Sequence, residues 1–356
     1  MMKYLFVIIT IFFFTGCADE FDINQFEDEG DPNLTGDTVY VQLNPAWTGF
    51  NNPQDLYIGN EPFIYICDTD NDRIVMMNLA GQILGIRSIK RPVAIAQDFA
   101  LNLIVCAQYD RDTTGTQPKF YNAVFKINMV SANHDIANAP SKLIMPREFN
   151  TKTEQQEYTG VTVFYDNSYY VTRKGPANST VIDPDNAILQ FKVTENPDGS
   201  KTDTYIGRIP LIDPLSAGIP SANGLSAITS FKKRSYDMIY TLTGNNSFKA
   251  QWMQYIQTQE YTGYISKLSP GEANFITPNR FSRPEGITVD QAGNIYVADA
   301  DKDSLLKFNS FGDELQSFGG PEIFNQPYAA AVFDRTLYVL DSGNNRILRF
   351  ILSTDL

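Results

Sequence analysis

A short motif occurs near both ends of this chain: residues 64–74 read IYICDTDNDRI, and residues 338–347 read YVLDSGNNRI. Each copy lies inside a longer unit in which apolar and polar residues alternate between clusters of Gly, Asn and Asp. The most regular unit, residues 284–308, reads PEGITVDQAGNIYVADADKDSLLKF. This alternation is typical of short antiparallel strands joined by tight turns. A repeat of this kind constrains the fold more strongly than any other feature of the sequence.

The unit occurs six times, with two regular strands, a third strand and a weaker fourth in each copy. We therefore expect six four-stranded antiparallel sheets, which protect their edges when they are arranged in a ring. The 24 Phe and 19 Tyr residues supply ample strand-favouring material for such a core. The six units lie at residues 53–77, 92–108, 158–173, 223–244, 284–308 and 327–350.

The pattern P-x-G-I-x-V-D-x-x-G-N-I-Y-V-A-D at residues 284–299 resembles the NHL repeat. The resemblance is closest in the fifth unit, good in the first and sixth, and weaker in the third and fourth. It implies an all-β, six-bladed β-propeller of the NHL type with four antiparallel strands per blade. The segment VYVQLN (39–44) precedes the first unit, and we expect it to close the ring as the outermost strand of the last blade.

The N-terminus has the features of an export segment. Lys3 precedes an apolar run at residues 4–14, which is too short to span a bilayer, and FTGC follows at residues 14–17. FTGC resembles the lipobox of bacterial lipoproteins, which implies cleavage before Cys17 and lipidation of that cysteine. The alternative is an ordinary signal peptide with an incidental cysteine. We expect a signal peptide at 1–16, a tether at 17–36 and the propeller at 37–356.

The tether is strongly acidic, since residues 18–37 carry eight Asp and Glu residues and no Lys or Arg. Its start, CADE (17–20), resembles the signal that sends some lipoproteins to the outside of the outer membrane; a solvated linker is the alternative. We expect an outer-membrane, lipid-anchored location with exposure at the cell surface. The net charge of −13 and the lack of a basic cluster exclude nucleic acid as a partner.

Equivalent positions end the second strand of each unit, and in three units the residue is Asp. Asp side chains there are predicted to fix turns rather than to bind a metal. Cys67 and Cys106 precede this position in adjacent blades, and sheet spacing is too wide for a disulfide, so we predict two buried free thiols. The six positions are Asp68, Ala107, Arg173, Thr243, Asp299 and Asp341.

Three consecutive blades carry insertions after the second strand, at residues 109–122, 174–186 and 244–263. All second-to-third-strand turns of a propeller leave on one face, so these insertions are predicted to form a continuous surface. Function is often carried by loops on a rigid scaffold. Packing of the aromatic residues over the blade ends is the alternative to recognition. The candidate partner-binding or ligand-binding residues are Tyr109, Arg111, Phe120, Tyr121, Arg173, Lys174, Phe248, Trp252 and Tyr255.

The first strands should surround a central channel, and the residue after each opening proline is expected at its mouth. Some six-bladed propellers hold calcium in this channel and hydrolyse lactones or esters, so resemblance to them implies an alternative function: a calcium-dependent lactonase or esterase that uses channel residues near Glu285. These residues are poor calcium ligands as a set, since only a few carry carboxylates. The single histidine, His134, does not suffice for a multi-histidine zinc site. The mouth positions are Gln54, Val93, Thr159, Asn223, Glu285 and Tyr328, with Asp55 one step deeper.

We therefore predict a protein that binds rather than catalyses, with no cofactor and no metal. By resemblance, propeller lipoproteins of this kind accompany outer-membrane nutrient importers that pair a TonB-dependent barrel with a capping lipoprotein. The expected partner is such a complex, and a glycan or peptide is the expected ligand.

Overall fold

The computed structural model describes residues 39–111, 119–180, 182–231 and 233–355. These residues form six antiparallel sheets of four strands each. The innermost strand of every sheet contacts the innermost strands of the two neighbouring sheets, and the last sheet contacts the first. The protein is therefore a six-bladed β-propeller, as the sequence predicts.

Strand order follows chain order in blades one to five. The strands of blades one to three are β2 (Asp55–Ile58), β3 (Ile64–Asp68), β4 (Arg73–Met77), β5 (Ile83–Ser88), β6 (Lys90–Gln97), β7 (Asn102–Asp110), β8 (Phe120–Asn128), β9 (Ser141–Met145), β10 (Glu157–Val163), β11 (Tyr169–Lys174), β12 (Ala187–Glu195) and β13 (Lys201–Arg208). Those of blades four to six are β14 (Leu225–Ser230), β15 (Met238–Leu242), β16 (Ala250–Gln257), β17 (Thr262–Ser266), β18 (Pro284–Val289), β19 (Ile295–Asp299), β20 (Ser304–Phe308), β21 (Glu314–Gly319), β22 (Pro327–Phe333), β23 (Thr336–Asp341) and β24 (Arg346–Leu352).

In the described residues, helical structure is limited to single turns between strands and after the last strand. The only α-helical turn of the described residues is α1 (Thr151–Glu154), which Asn150 caps through the N–H groups of Lys152 and Thr153. No helix in the described part of the chain is long and apolar enough to span a membrane. The 3₁₀ turns lie at Thr69–Asn71, Val130–Ala132, Asn274–Ile276, Ala300–Lys302, Ser342–Asn344 and Ser353–Asp355.

The N-terminal strand closes the ring, as predicted. Strand β1 (Tyr40–Thr48) pairs antiparallel with β24 and is the outermost strand of blade six. Trp47 of β1 is buried in one cluster with side chains of blades one and six, including Leu56 and Leu340. The first and last blades are therefore joined both by a strand and by a shared core.

The turn that recurs after the second strand of several blades is structural, as predicted. Asp68 is fully buried, accepts the backbone N–H of Asn51 at 2.7 Å and pairs with Arg73 at 2.6 Å. Asp341 forms the same contacts with the N–H of Asn325 and with Arg346, both at 2.7 Å. Each carboxylate thus ties the link that enters its blade to the turn that follows its second strand.

The cores lie between neighbouring blades, where side chains of one sheet pack against those of the next. Cys67 and Cys106 belong to these cores, and both are buried and unbridged, as predicted. Burial raises the pKa of both thiols well above the ordinary value.

The predicted insertion in blade four is wrong in extent. Residues 250–257, which were predicted to belong to the insertion at 244–263, form the third strand, β16, and the fourth strand β17 begins at Thr262. The connection after β15 is therefore short and ends before Ala250. The apolar residues of AQWMQYIQ do not alternate regularly, and this obscured the strand.

Candidate functional site

The two faces of the propeller differ in the connections they carry. The end of each second strand pairs with the start of the third, as Asp68 pairs with Arg73, and both lie beside the start of the first strand. The second-to-third-strand connections and the links between blades therefore share one side, which we call the loop face. The first-to-second and third-to-fourth connections lie on the opposite face.

In blade two the described ends of the insertion belong to strands β7 and β8 or lie next to them. Tyr109 pairs with Tyr121 across β7 and β8, and both rings contact Phe149 of the link to blade three, at centroid distances of 5.6 and 5.0 Å. The Arg111 guanidinium lies 4.1 Å from the centre of the same ring. Among the aromatic side chains of this group, only Phe120 is largely exposed, at 38%. Residues 112–118 of the insertion lie outside the described residues.

In blade three the predicted surface cation Arg173 is buried. Its Nε donates to the carbonyl of Asp185 at 3.0 Å, and one terminal nitrogen contacts Asp183 Oδ1 and the carbonyl of Pro184, both at 2.6 Å. The buried Arg173 side chain therefore holds the 175–186 loop in place through these hydrogen bonds. Its neighbour Lys174 is half-exposed and lies 3.2 Å from Glu157.

In blade four two predicted loop aromatics lie on strand β16. Trp252 is buried and stacks on Phe231 at 4.9 Å. Tyr255 is half-buried beside Tyr236, 5.2 Å away, in the connection on the opposite face. The placement of both on a loop is wrong, whereas Phe248 does lie in the 243–249 connection and is half-buried.

Exposed aliphatic side chains on the loop face were missed by the sequence analysis, which looked for aromatic residues. Ile182 of blade three is 90% exposed, and Leu211 and Leu215 of the link between blades three and four are 73% and 57% exposed. Isolated leucines in the proline-rich link PLIDPLSAGIPS (210–221) were the available indication.

Hydrogen bonds join the blade-three loop, the link between blades three and four, and the blade-four connection. Asn186 of the blade-three loop donates to the carbonyl of Pro214 in the link at 2.8 Å. Asn246 of the blade-four connection donates to the carbonyls of Ser216 and Gly218, at 2.9 and 2.8 Å. Asp213 accepts the N–H groups of Leu215 and Ser216, both at 2.8 Å. The exposed leucines thus lie on a well-anchored part of the backbone.

The hairpin of blade two is joined to this surface through α1. Lys119 at the base of the hairpin pairs with Glu154 at 2.8 Å, and Lys152 pairs with Asp183 of the blade-three loop at 2.6 Å. The connections of blades two, three and four therefore lie side by side on the loop face, as predicted.

The first strands surround a narrow central channel with a volume of about 100 Å³. Asp55 and five of the six predicted mouth residues line this channel. The five are Gln54, Val93, Thr159, Glu285 and Tyr328. Asn223 does not, because strand β14 begins later and its bulge brings Ala227 to the channel. Asn223 instead donates to the carbonyls of Leu215 and Asn245, at 3.4 and 3.2 Å.

An ionic cluster lies at the channel mouth. Arg283 contacts Glu285 Oε1 at 3.0 Å, the Tyr328 hydroxyl at 3.0 Å and Asp301 Oδ1 at 2.6 Å. Burial raises the pKa of Glu285, although the charge of Arg283 opposes that shift. The Glu285 carboxylate therefore already forms an ion pair with Arg283.

Asp55 lies deeper in the channel wall, and its carboxylate is directed at backbone N–H groups. Oδ1 accepts from Leu56 and Oδ2 from Ile95, both at 2.8 Å. Burial raises the pKa of Asp55 to about 6, although these two hydrogen bonds lower it. A carboxyl group with this pKa exchanges protons near neutral pH.

The channel residues do not fit a calcium centre. Calcium in proteins takes six to eight oxygen ligands and usually several carboxylates. Here Glu285 is paired with Arg283, and both oxygens of Asp55 are occupied by N–H donors. Within the described residues, no three His, Cys, Asp or Glu side chains are grouped to hold a metal.

The single histidine lies away from the channel. His134 Nδ1 lies 2.7 Å from Glu61 Oε1, which joins connections of blades two and one on the opposite face. The arrangement is a contact between neighbouring blades.

Comparisons with known proteins support the fold. Residues 281–308, which include blade-five strands β18 to β20, match the NHL repeat family. No curated protein matches the chain. The structural matches below share at most 15% of residues with this chain. At that level of identity they show a common fold only and carry no information about activity.

Three solved structures illustrate this similarity. The PQQ-bound aldose sugar dehydrogenase of Streptomyces coelicolor is 13% identical, with 89% of this chain and 98% of that chain covered and a TM-score of 0.54. A protein assigned as a gluconolactonase is 15% identical, with 90% and 94% covered and a TM-score of 0.52. Regucalcin, a calcium-binding protein of Agrobacterium tumefaciens, is 11% identical, with 87% and 92% covered and a TM-score of 0.51. The chain is therefore a six-bladed β-propeller that carries an NHL repeat.

Proposed function

We propose that this chain is a non-catalytic binding protein whose loop face docks a protein partner. One observation carries the proposal: Ile182, Leu211 and Leu215 expose 90%, 73% and 57% of their surface on connections that hydrogen bonds hold in place. Exposed aliphatic surface is stabilised when a partner removes it from water, at about 25 cal/mol per Å². Because hydrogen bonds join the connections that carry them, these side chains would meet a partner with little further ordering of the backbone.

The backbone of Leu211 supports this interpretation. Its φ angle is +61°, in the left-handed region that bulky side chains rarely adopt. Strained conformations of exposed residues are often kept for function, because the fold alone gains nothing from them. Selection of leucine at this position is explained if a partner covers the side chain.

The proposed location follows from the N-terminal sequence and from the course of β1. We place a signal peptide at 1–16, a lipid on Cys17 and an acidic tether at 17–36, all outside the described residues. Strand β1 is antiparallel to β24 and runs from the opposite face to the loop face. Tyr40 therefore starts on the opposite face, and a tether leaving there favours a loop face directed away from the membrane.

This orientation suits a partner that projects beyond the outer membrane at the cell surface. By the resemblance stated above, the partner would be a TonB-dependent transporter with its capping lipoprotein, engaged in uptake of a glycan or peptide. The chain would be an accessory subunit of that complex.

The docking proposal is tested by co-purification from detergent-solubilised outer membrane. The double variant Ile182→Asn, Leu211→Asn removes two exposed aliphatic side chains from the loop face, and we expect at least a tenfold loss of captured transporter components. The matched control is Phe311→Asn, because Phe311 is 74% exposed in a turn on the opposite face. Equal capture by the double variant and the wild type, or recovery of no transporter component by either, contradicts the proposal.

The anchor is tested separately by membrane fractionation. The wild-type chain should require detergent for release, whereas the Cys17→Ala variant should be recovered in the soluble fraction. External protease should digest the wild-type chain on intact cells if it is exposed at the surface. Release of the wild-type chain without detergent would refute lipid anchoring.

Channel hydrolysis is the second candidate function, and the raised pKa values of Asp55 and Glu285 are the observation in its favour. Structures assigned as a gluconolactonase and as calcium-binding regucalcin share the fold, although not the identity that would transfer an activity. Lactone hydrolysis that needs calcium and disappears in Glu285→Gln would establish this function. Because the donor set does not fit calcium, we expect no such activity.

A further inference from the structure

A groove runs along the outside of the propeller between blades two and three. Its larger part has a volume of about 610 Å³ and its smaller part about 260 Å³, and Lys142 and Asp203 line both. The volume of the larger part lies in the range typical of small-molecule sites. The groove lies on the side of the ring, so it is separate from the proposed docking residues of the loop face.

Strand alternation explains which side chains face the groove. Lys201, Asp203 and Tyr205 occupy alternate positions of the edge strand β13 and line one wall. Lys126 of β8 and Lys142 of β9 are cross-strand partners on the facing wall. Side chains two residues apart share one face of a strand, so the groove is built by regular sheet geometry.

A buried ionic group forms the floor. The side chain of Lys126 is only 11% exposed, and its Nζ lies 2.8 Å from Asp203 Oδ1 and 3.2 Å from Asp98 Oδ2. Asp203 belongs to blade three and Asp98 to blade two, so the lysine joins the two blades. Because two carboxylates face one lysine, the formal charge of this group is negative.

The rim carries the opposite charge. Lys142 and Lys201 are exposed, and neither forms an ion pair with a carboxylate among the residues that the structure describes. Arg147 lies with its guanidinium 5.7 Å from the Tyr205 ring at the smaller end. A cationic rim is unexpected in a chain with a net charge of −13, and it selects ligands with negative charge.

The remaining lining is suited to hydroxyl groups. Asn102, Asn128 and Ser141 bring amide and hydroxyl groups to the larger part of the groove. Such groups both donate and accept hydrogen bonds, as sugar hydroxyls require. The half-buried Tyr205 lines the smaller part, where its ring contacts Phe191 and the Arg147 guanidinium.

We infer that this groove binds an acidic saccharide, a sugar that carries a carboxylate or a phosphate. The charged group pairs with Lys142 and Lys201, and the ring hydroxyls contact the amides and the Asp203 carboxylate. The inference does not rest on the loop face, so its failure would leave the docking proposal untouched.

The test is calorimetric titration of the full chain in mild detergent. The acidic probes are trigalacturonic acid, N-acetylneuraminic acid and glucose 6-phosphate, with maltotriose as the neutral probe and tetraglutamate as the acidic peptide. We expect saturable binding of at least one acidic saccharide, about tenfold tighter than maltotriose, because charge-assisted hydrogen bonds are the stronger ones. Added salt should weaken that binding.

The double variant Lys142→Ala, Lys201→Ala should lose about tenfold or more in affinity for the acidic saccharide. Lys192→Ala is the matched control, because Lys192 is exposed on β12 next to Phe191, whose side chain lines the groove, and alternation directs it to the other side of the sheet. Unchanged thermal melting of all variants verifies folding. No saturation by any acidic saccharide, undiminished binding by the double variant, or equally tight binding of tetraglutamate would each overturn the inference.

Discussion

Arg173 and Lys174 are adjacent in the chain, but their environments differ sharply. The Arg173 side chain is 4% exposed and has three hydrogen-bond partners in loop 175–186, whereas Lys174 is 37% exposed and contacts Glu157. Replacement of a buried, hydrogen-bonded charge leaves its partners unsatisfied, while an exposed ion pair contributes little. Position on the strand thus decides which of two neighbouring cations supports the fold.

We predict that Arg173→Ala lowers the free energy of unfolding by about 2 kcal/mol, because the carbonyls of Pro184 and Asp185 lose their side-chain donor and the Asp183 carboxylate keeps only Lys152. Lys174→Ala is the control and should change it by less than about 0.5 kcal/mol. Urea unfolding followed by tryptophan fluorescence measures both. Equal effects of the two substitutions would show that the Arg173 contacts do not hold the loop.

Asp55 gives a second prediction at this scale, a pH dependence of stability. Burial raises its pKa from 3.8 to about 6, so the folded protein binds this proton more tightly than the unfolded chain. The stabilisation is therefore complete below about pH 4 and is lost as the pH rises through 6, by up to about 3 kcal/mol. Asp55→Asn removes the titrating group and should abolish this part of the pH dependence.

Unfolding free energies of the wild type and of Asp55→Asn at pH 4.5 and 7.5 provide the measurement. The advantage of the wild type over the variant should shrink as the pH rises. If the difference between the two proteins is the same at both pH values, Asp55 does not titrate in this window.

Among the elements, the link from blade three to blade four contains a residue whose backbone is strained and whose side chain is exposed. Leu211 has a φ angle of +61° and 73% of its surface exposed. Asn tolerates the left-handed region better than Leu, so Leu211→Asn should raise the free energy of unfolding by about 0.5–1 kcal/mol. A variant that gains stability and loses partner capture would separate the two effects, as strain kept for binding requires. A thermal melt at or below that of the wild type argues against strain.

The regular elements were predictable from the sequence because alternation and turn residues mark each strand. This holds for blade five and for the closing strand β1. Strand β16 was not predictable, since its buried residues, among them Trp252 and Met253, follow one another without alternation. That the connections of blades two to four lie on one face was predictable from the repeat, but their contacts were not, because burial of Arg173 depends on Asp183 and Asp185, which only the folded loop brings together.

For the whole molecule, ring closure depends on contacts between residues far apart in the chain. Trp47 of β1 lies 4.6 Å from the Arg349 guanidinium and 5.8 Å from the Tyr338 ring, both in blade six. On its other side it contacts Gly81 of blade one, where an added Cβ would lie 2.4 Å from the indole. Trp47 therefore contacts both the first and the last blade at the seam where the ring closes.

We predict that Trp47→Ala lowers the free energy of unfolding by about 3 kcal/mol, as is typical when a buried tryptophan is truncated. Trp47→Phe keeps most of the apolar contact and should cost less than half as much. If Trp47 closes the ring, the Trp47→Ala variant should also show a larger increase of amide hydrogen exchange over the wild type in β1 and β24 than in the strands of blade three. The reason is that the seam between the first and last blades would open first. A uniform increase of exchange over all six blades would show that Trp47 contributes to general stability and not to closure of the ring.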